Sequence, residues 1–213
     1  MSHTTRSRWS ALGWVVGLLL VGAVTARAEE GAAAARAEEK AELAIYDFEN
    51  GLQDWAIPDW AKESEDDVGR VLSTSTEVAS HGASSMQLLA DFPGTRWTGA
   101  YVEVLMNVTD WSQFGSLSVD AYVPPNAPAG LQARIILTVG DSWQWTEMNR
   151  PIKLEPGKWI TITTNLKPGS LDWKFFPTET FRKDIRKVGF RVESDKKPTY
   201  SGPIYIDNVR LGP

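Results

Sequence analysis

From Ile45 onward, apolar residues recur at every second position in short runs. Gly, Pro, Asn and Asp break these runs at intervals of about ten to fifteen residues. The pattern predicts strands over 44–48 (AIYDF), 70–76, 84–91, 98–107 (TGAYVEVLMN), 116–123 (SLSVDAYV), 131–139 (LQARIILTV), 143–148, 159–165 (WITITTN), 186–194 (RKVGFRVES) and 203–211 (PIYIDNVRL). No longer window keeps a clean helical stripe; "PTETFRKDIRK" predicts a single helical turn, with Thr178 as its N-cap. Many strands, breaks such as Pro156-Gly157 and Pro168-Gly169, and no alternation of strand with helix predict an all-β antiparallel sandwich. Ten candidate strands suit a jelly roll better than a seven-stranded immunoglobulin sandwich.

Side chains on a strand alternate between faces, so the runs also predict which residues look inward. Ala133, Ile135, Leu137 and Val139 share one face, with Gln132, Arg134, Ile136 and Thr138 on the other. Val188, Phe190 and Val192 point in, leaving Arg191 and Glu193 out; Ala100, Val102, Val104 and Met106 point in, leaving Tyr101 and Glu103 out. Three strands therefore present an outer face of aromatic, arginine and carboxylate groups, which suits a polar ring held by stacking and hydrogen bonds. Within "GDSWQWTEMNR", residues 140–150, Trp143 and Trp145 stand two apart and so share a face. Their neighbours Asp141, Ser142, Gln144, Thr146 and Glu147 are poor core material, which tips both indoles towards solvent.

The N-terminus follows a different pattern. Arg6 and Arg8, the apolar run "ALGWVVGLLLVGAVTA" and the small-x-small Ala26-Arg27-Ala28 predict a secretory signal peptide over 1–28. An uncleaved anchor is the alternative, since the run is near the lower length limit for spanning a bilayer. Residues 29–42, mostly Ala and Glu, read as a tether, and 43–213 as one domain, secreted or periplasmic. No later run is apolar enough to span, so no membrane contact is expected after cleavage. Removing Arg6, Arg8 and Arg27 from 22 basic residues leaves 19 against 27 acidic ones, a charge of −8, which excludes a nucleic-acid or anionic-lipid surface. There is no cysteine, so neither disulfides nor a thiol nucleophile are in play.

"YDFENGLQDW" (46–55) and "SGPIYIDNVRL" (201–211) resemble the opening and closing strands of jelly-roll carbohydrate-binding modules in the galactose-binding-like superfamily. "HGASSMQLLAD", "WSQFGSLSVDAYVP" and "LEPGKWITITTNL" resemble further strands of that fold, in the right order. The resemblance is strongest to modules attached to β-mannanases and other β-glucan-degrading enzymes. It implies a non-catalytic domain that binds a polysaccharide or oligosaccharide, and a structural calcium where the first and last strands meet. The matching positions are Glu49, with Asp47 as a second possibility, and Asp207, joined by carbonyls of the turn at Ser80 to Gly82. Calcium favours such oxygen-rich sets, and the alternative is that these carboxylates serve only turns and a strand end.

Eight tryptophans follow residue 28. Trp55, Trp111 and Trp159 stand where the resemblance implies buried aromatics, whereas Trp60, Trp97 and Trp173 lie in loops where burial is harder to argue. Trp143 and Trp145 are the expected sugar platform, with Tyr101, Glu103, Arg134, Glu147, Arg191 and Glu193 as its aromatic and polar partners. A catalytic role lacks its usual parts, and the alternative left to it is a carboxylate pair such as Glu103 and Glu193, facing the same way on different strands. No E-x-D-x-E run supplies paired carboxylates, His81 is the one histidine after residue 28, and Gly-x-Ser-x-Gly is absent. A protein partner is the competing expectation, because some members of the superfamily act as assembly domains.

Overall fold

A computed structural model describes residues 42–175, 177–194 and 198–213. The expected signal peptide, and the tether apart from Glu42, lie outside the described residues. The strands are β1 (Leu43–Tyr46), β2 (Gly69–Ser75), β3 (Ser85–Pro93), β4 (Thr98–Leu105), β5 (Ser116–Tyr122), β6 (Leu131–Val139), β7 (Gln144–Glu147), β8 (Ile152–Lys153), β9 (Trp159–Asn165), β10 (Ile185–Ser194) and β11 (Thr199–Gly212). Two short helices, α1 (Asp59–Lys62) and α2 (Glu179–Lys183), lie between them. The ten expected strands are all present; β8 and α1 were not expected, being too short to leave a periodic signal. Thr178 caps α2 as expected, its hydroxyl accepting the Phe181 N–H at 3.0 Å.

The strands form two antiparallel sheets. One has the order β2-β3-β11-β5-β9, with β1 also paired to β11; the other has the order β4-β10-β6-β7, with β8 also paired to β6. Their facing surfaces carry the alternating apolar residues of the sequence. Val188, Phe190, Val192, Ile135, Leu137, Ala100 and Val102 from the second sheet, and Met86, Leu88, Phe92, Leu117, Val119, Ile162, Ile204 and Ile206 from the first, are buried. The order places β10 at the centre of the second sheet, between β4 and β6, so its inward residues are sealed from all sides.

A register break between Asp207 and Arg210, where Asn208 takes φ 50°, bends β11 as its neighbour changes from β3 to β1. The bend leaves Asp207 fully buried and aimed at the turn before β3. At the other sheet's edge, the segment from Ala56 to Val68, which includes α1, runs along β4. It exchanges backbone hydrogen bonds at Ala56–Glu103 (3.0 and 2.9 Å), and Gly99 donates to Asp66 while accepting from Val68. An edge strand that would otherwise expose open backbone groups is thereby covered.

Because Phe190 sits at the centre of the core with no exposure, Phe190→Ala should reduce the unfolding free energy by about 3–5 kcal/mol in urea titration. A loss below about 1 kcal/mol would contradict this placement of β10.

Candidate functional site

The outer face of the β4-β10-β6-β7 sheet forms the floor of a cleft of about 570 Å³. Tyr101 and Glu103 of β4, Lys187 and Arg191 of β10, Thr138 of β6 and Trp145 of β7 line it from the sheet; Trp60 lines it from α1, and Trp97 and Trp143 from loops. The volume falls within the range of small-ligand pockets. Trp60, Trp97, Trp143 and Trp145 are 49%, 39%, 49% and 37% exposed, which is unusual for four indoles gathered around one opening.

Local backbone explains each position. Tyr101 lies across β10 at Gly189, where a Cβ would come within 2.2 Å of its hydroxyl oxygen, so only glycine leaves room for the ring. Trp60 and Trp145 then rest against Tyr101, with ring centroids 5.0 and 5.3 Å away, and meet each other edge-on at 5.9 Å. Trp145 is carried by β7, opposite Thr138. Trp97 follows β3 in the loop to β4, and Arg96 beside it bonds both the Asp66 carboxylate and the Glu65 carbonyl, joining that loop to the one after α1.

Trp143 departs from expectation in how it reaches the site. It lies not in the strand but at the end of the β6–β7 loop, with φ 53° and its N–H bonded to Gly140 O at 3.0 Å. Strand alternation therefore does not place it, although both indoles do face the cleft. Arg186 and Lys187 stand over its ring, 5.5 and 5.8 Å from the centroid.

Of the remaining expected residues, Tyr101, Glu103 and Arg191 line the cleft, but Arg134, Glu147 and Glu193 do not. Glu147 and Glu193 are buried and Arg134 is half-buried, all three in an ion network behind Arg191 rather than standing as a solvated rim, with Lys174 paired to Glu147 from outside the sheet. Tyr101 is likewise on the outer face yet only 2% exposed, being covered by Trp60 and Trp145. Burial, with the Glu103 charge beside it, pushes its pKa far above the ordinary tyrosine value, so its hydroxyl stays a donor to Glu103 Oε2 at 3.0 Å. Lys187 pairs with the other oxygen of Glu103. Trp60 and Trp97 complete the site, their signal in the sequence being tryptophan set among Pro, Asp, Lys and Gly. Trp173 is the opposite case, 1% exposed and bonded through Nε1–H to Asn165 O. Trp55 and Trp111 are buried as expected, while Trp159 is only partly so, beside Tyr122.

The three carboxylates expected at a metal separate into two behaviours. Glu49 Oε1 accepts the N–H groups of Ala83 and Ser84 at 2.9 and 2.7 Å, and Asp207 Oδ2 accepts those of Ser80 and His81 at 2.8 and 3.1 Å. Two acids from opposite ends of the domain thus converge on one turn, where their oxygens accept its backbone N–H groups. Asp47 does not join them; its Oδ1 accepts from Gln53 Nε2 and the Glu49 N–H within its own turn. Among the described residues, no three Asp, Glu, His or Cys side chains gather where a metal could sit.

The described residues thus form a jelly-roll β-sandwich with an aromatic-lined cleft on the outer face of one sheet. A family described as "Mannanase, galactose-binding domain-like" matches residues 46–208, and the chain belongs to it. Among solved structures, the fold is similar to a Caldicellulosiruptor saccharolyticus family 27 carbohydrate-binding module in complex with mannohexaose. Their identity is 18% and the TM-score 0.57, over 81% of this chain and 97% of that one. It is also similar to TmCBM27, described for specific mannan recognition, with 20% identity and a TM-score of 0.52 over 81% and 95% of the two chains. A third is a family 28 module specific for non-crystalline cellulose, with 13% identity and a TM-score of 0.59 over 82% and 96%. A search of curated proteins returned no match.

Asp67 at the cleft wall gives the site a pH signature. Burial pushes its carboxyl up to about 6, against hydrogen bonds from the N–H groups of Gly69 (2.8 Å) and Tyr101 (3.2 Å). The folded chain therefore keeps this proton at pH values where the unfolded chain has lost it, so folding stability falls as pH rises through that window. Between about pH 4.5 and 7.5, wild type should lose on the order of 1–3 kcal/mol more than Asp67→Asn, read as urea midpoints at both pH values. Parallel pH profiles for the two proteins would refute it.

Proposed function

We propose that this domain binds a β-linked polysaccharide of the mannan class by stacking pyranose rings on the cleft's exposed indoles, after export from the cytoplasm. The carrying observation is the convergence of Trp60, Trp97, Trp143 and Trp145 on one opening above the Tyr101 floor. A pyranose presents an apolar C–H face to an indole, and its hydroxyls suit the Glu103, Lys187, Arg191 and Asp66 side chains at the margin. Each stack burying on the order of 50 Å² supplies about 1 kcal/mol, so two or three with hydrogen bonds give micromolar to millimolar affinity. Family membership and the mannan-binding descriptions of two similar folds support mannan over other β-glycans.

Affinity electrophoresis in gels containing galactomannan, glucomannan, xylan or soluble cellulose tests the reading. Retardation is expected in the mannan gels, and Trp145→Ala should weaken it about tenfold, the equivalent of roughly 1.4 kcal/mol. Unretarded migration on every glycan, together with a copurifying protein, would replace this function with protein binding.

A structural calcium belongs to the same proposal, held by Glu49, Asp207 and carbonyls of the turn at 80–82. Bound there, it would tie the first and last parts of a chain that has no disulfide. Chelation should lower the melting temperature and added calcium, but not magnesium, should restore it. An unchanged melting curve with no calcium in elemental analysis would refute the site.

A further inference from the structure

Behind the cleft, Arg134 on β6 and Arg191 on β10 are direct cross-strand partners. Two like charges in that relation repel, and an exposed pair would turn apart. Here two glutamates close them into a ring. Glu193 Oε1 accepts from Arg134 Nη2 at 2.7 Å and Nε at 3.1 Å, while its Oε2 accepts from Arg191 Nε at 2.9 Å. Glu147 Oε2 accepts from Arg191 Nη2 at 2.7 Å, and its Oε1 meets Arg134 Nη1 at 3.4 Å as well as Lys174. The four side chains are between 2% and 14% exposed. Arg134 is fixed further by the Met148 carbonyl at 2.7 Å.

An enclosed ion network is a weak source of stability, because desolvating the charges offsets most of their attraction. What it does supply is geometry. Arg191 is held at two of its three guanidinium nitrogens, and its stem lies over Gly99, where a Cβ would come within 2.8 Å of Cδ. Its guanidinium carbon is thereby set 5.3 Å from the centre of the Trp97 ring. The third nitrogen, Nη1, has no protein acceptor among the described residues, and Arg191 lines the cleft.

We infer that Glu193, Glu147 and Arg134 are positioning residues for the sugar site: they clamp Arg191 so that it braces Trp97 and offers Nη1 to a hydroxyl of the bound glycan. The inference rests on the sugar-binding reading. It assigns the buried acids a role through Arg191 instead of direct contact with ligand. It also makes Arg191 irreplaceable by lysine, whose single ammonium cannot bond both acids and still lie flat on an indole.

Isothermal titration with β-1,4-mannohexaose, alongside melting temperatures, tests it in Glu193→Gln, Arg191→Met, Arg191→Lys and the Glu193→Gln/Arg191→Met double variant. Each single variant should weaken binding about tenfold, and the double variant no more than either, because one clamp is lost in each case. Glu193→Gln combined with Trp145→Ala should instead show multiplied losses. Glu147→Gln serves where Glu193→Gln fails to fold, since Glu193 still holds both arginines. Acrylamide quenching of Trp97, isolated by difference against Trp97→Phe, should increase in Glu193→Gln and Arg191→Met alike, a change that lost stability alone does not produce. Wild-type affinity in both glutamine variants, or losses that multiply between Glu193→Gln and Arg191→Met, would overturn the clamp. Wild type that binds no glycan would overturn the functional reading and with it the clamp's role, a result distinct from wild type that binds while the glutamine variants bind equally well.

Discussion

The cleft depends on one close approach, the ring of Tyr101 lying on the bare backbone of Gly189. Glycine inside a strand weakens it by roughly 0.5–1 kcal/mol relative to alanine. At the centre of the second sheet that cost falls where the surrounding core is deepest. In return, a tyrosine that would otherwise stand up from the outer face lies down along it. Everything above follows from that tilt: Trp60 and Trp145 have a ring to rest on, and the Tyr101 hydroxyl reaches Glu103. Gly99 repeats the device one strand away, letting the Arg191 stem lie flat. Two missing side chains thus lower the middle of the sheet into a floor, and loops supply the walls.

The walls also solve a problem of the sheet itself. Strand β4 is an edge, and the Ala56–Val68 segment covers it with backbone hydrogen bonds. That cover brings Trp60 over the floor, so protection of the edge and construction of the site are the same event. Charge is managed in a similar way. Arg96 is paired with Asp66, Lys187 with Glu103, and Arg191 with Glu147 and Glu193, so each of these cations has a carboxylate at hand. A compensated surface of this kind has little attraction for a polyanion and suits a neutral sugar chain, whose recognition relies on ring stacking and hydroxyl bonds.

Strand positions and the inner faces were legible in the sequence because burial on one side of a sheet forces a period of two. Val188 to Val192 carry it without interruption, and Ala133 to Val139 with Ile136 as the one apolar residue on the other face. The site was legible only in part, for two physical reasons. Alternation assigns Tyr101, Arg134, Glu147 and Glu193 to the outer face, but says nothing of what lies above them; roofing by Trp60, Trp145 and Lys174 converts that face from rim to interior. Alternation also stops at the end of a strand. Trp143 shares the cleft with Trp145 through a left-handed turn residue, and Trp60 arrives on a four-residue helix with no periodic signal. What the sequence does reveal for these loop residues is a chemical mismatch, a large indole among Asp, Lys and Gly. The mismatch is informative where the loop has no core beneath it, as at Trp60 and Trp97. It misleads where a loop folds inward, as Trp173 does against Phe181.

The same distinction decides how the buried acids are read. A carboxylate on an outer face suggests a ligand contact when only its direction is known. Once Glu147 and Glu193 are seen with two arginines between them, their oxygens are already committed to guanidinium nitrogens. A sugar hydroxyl approaching either acid would have to displace a charge-assisted bond, stronger than the neutral one it offers. The open donor is Nη1 of Arg191, so the proposed recognition at this face runs through the cation that the acids hold.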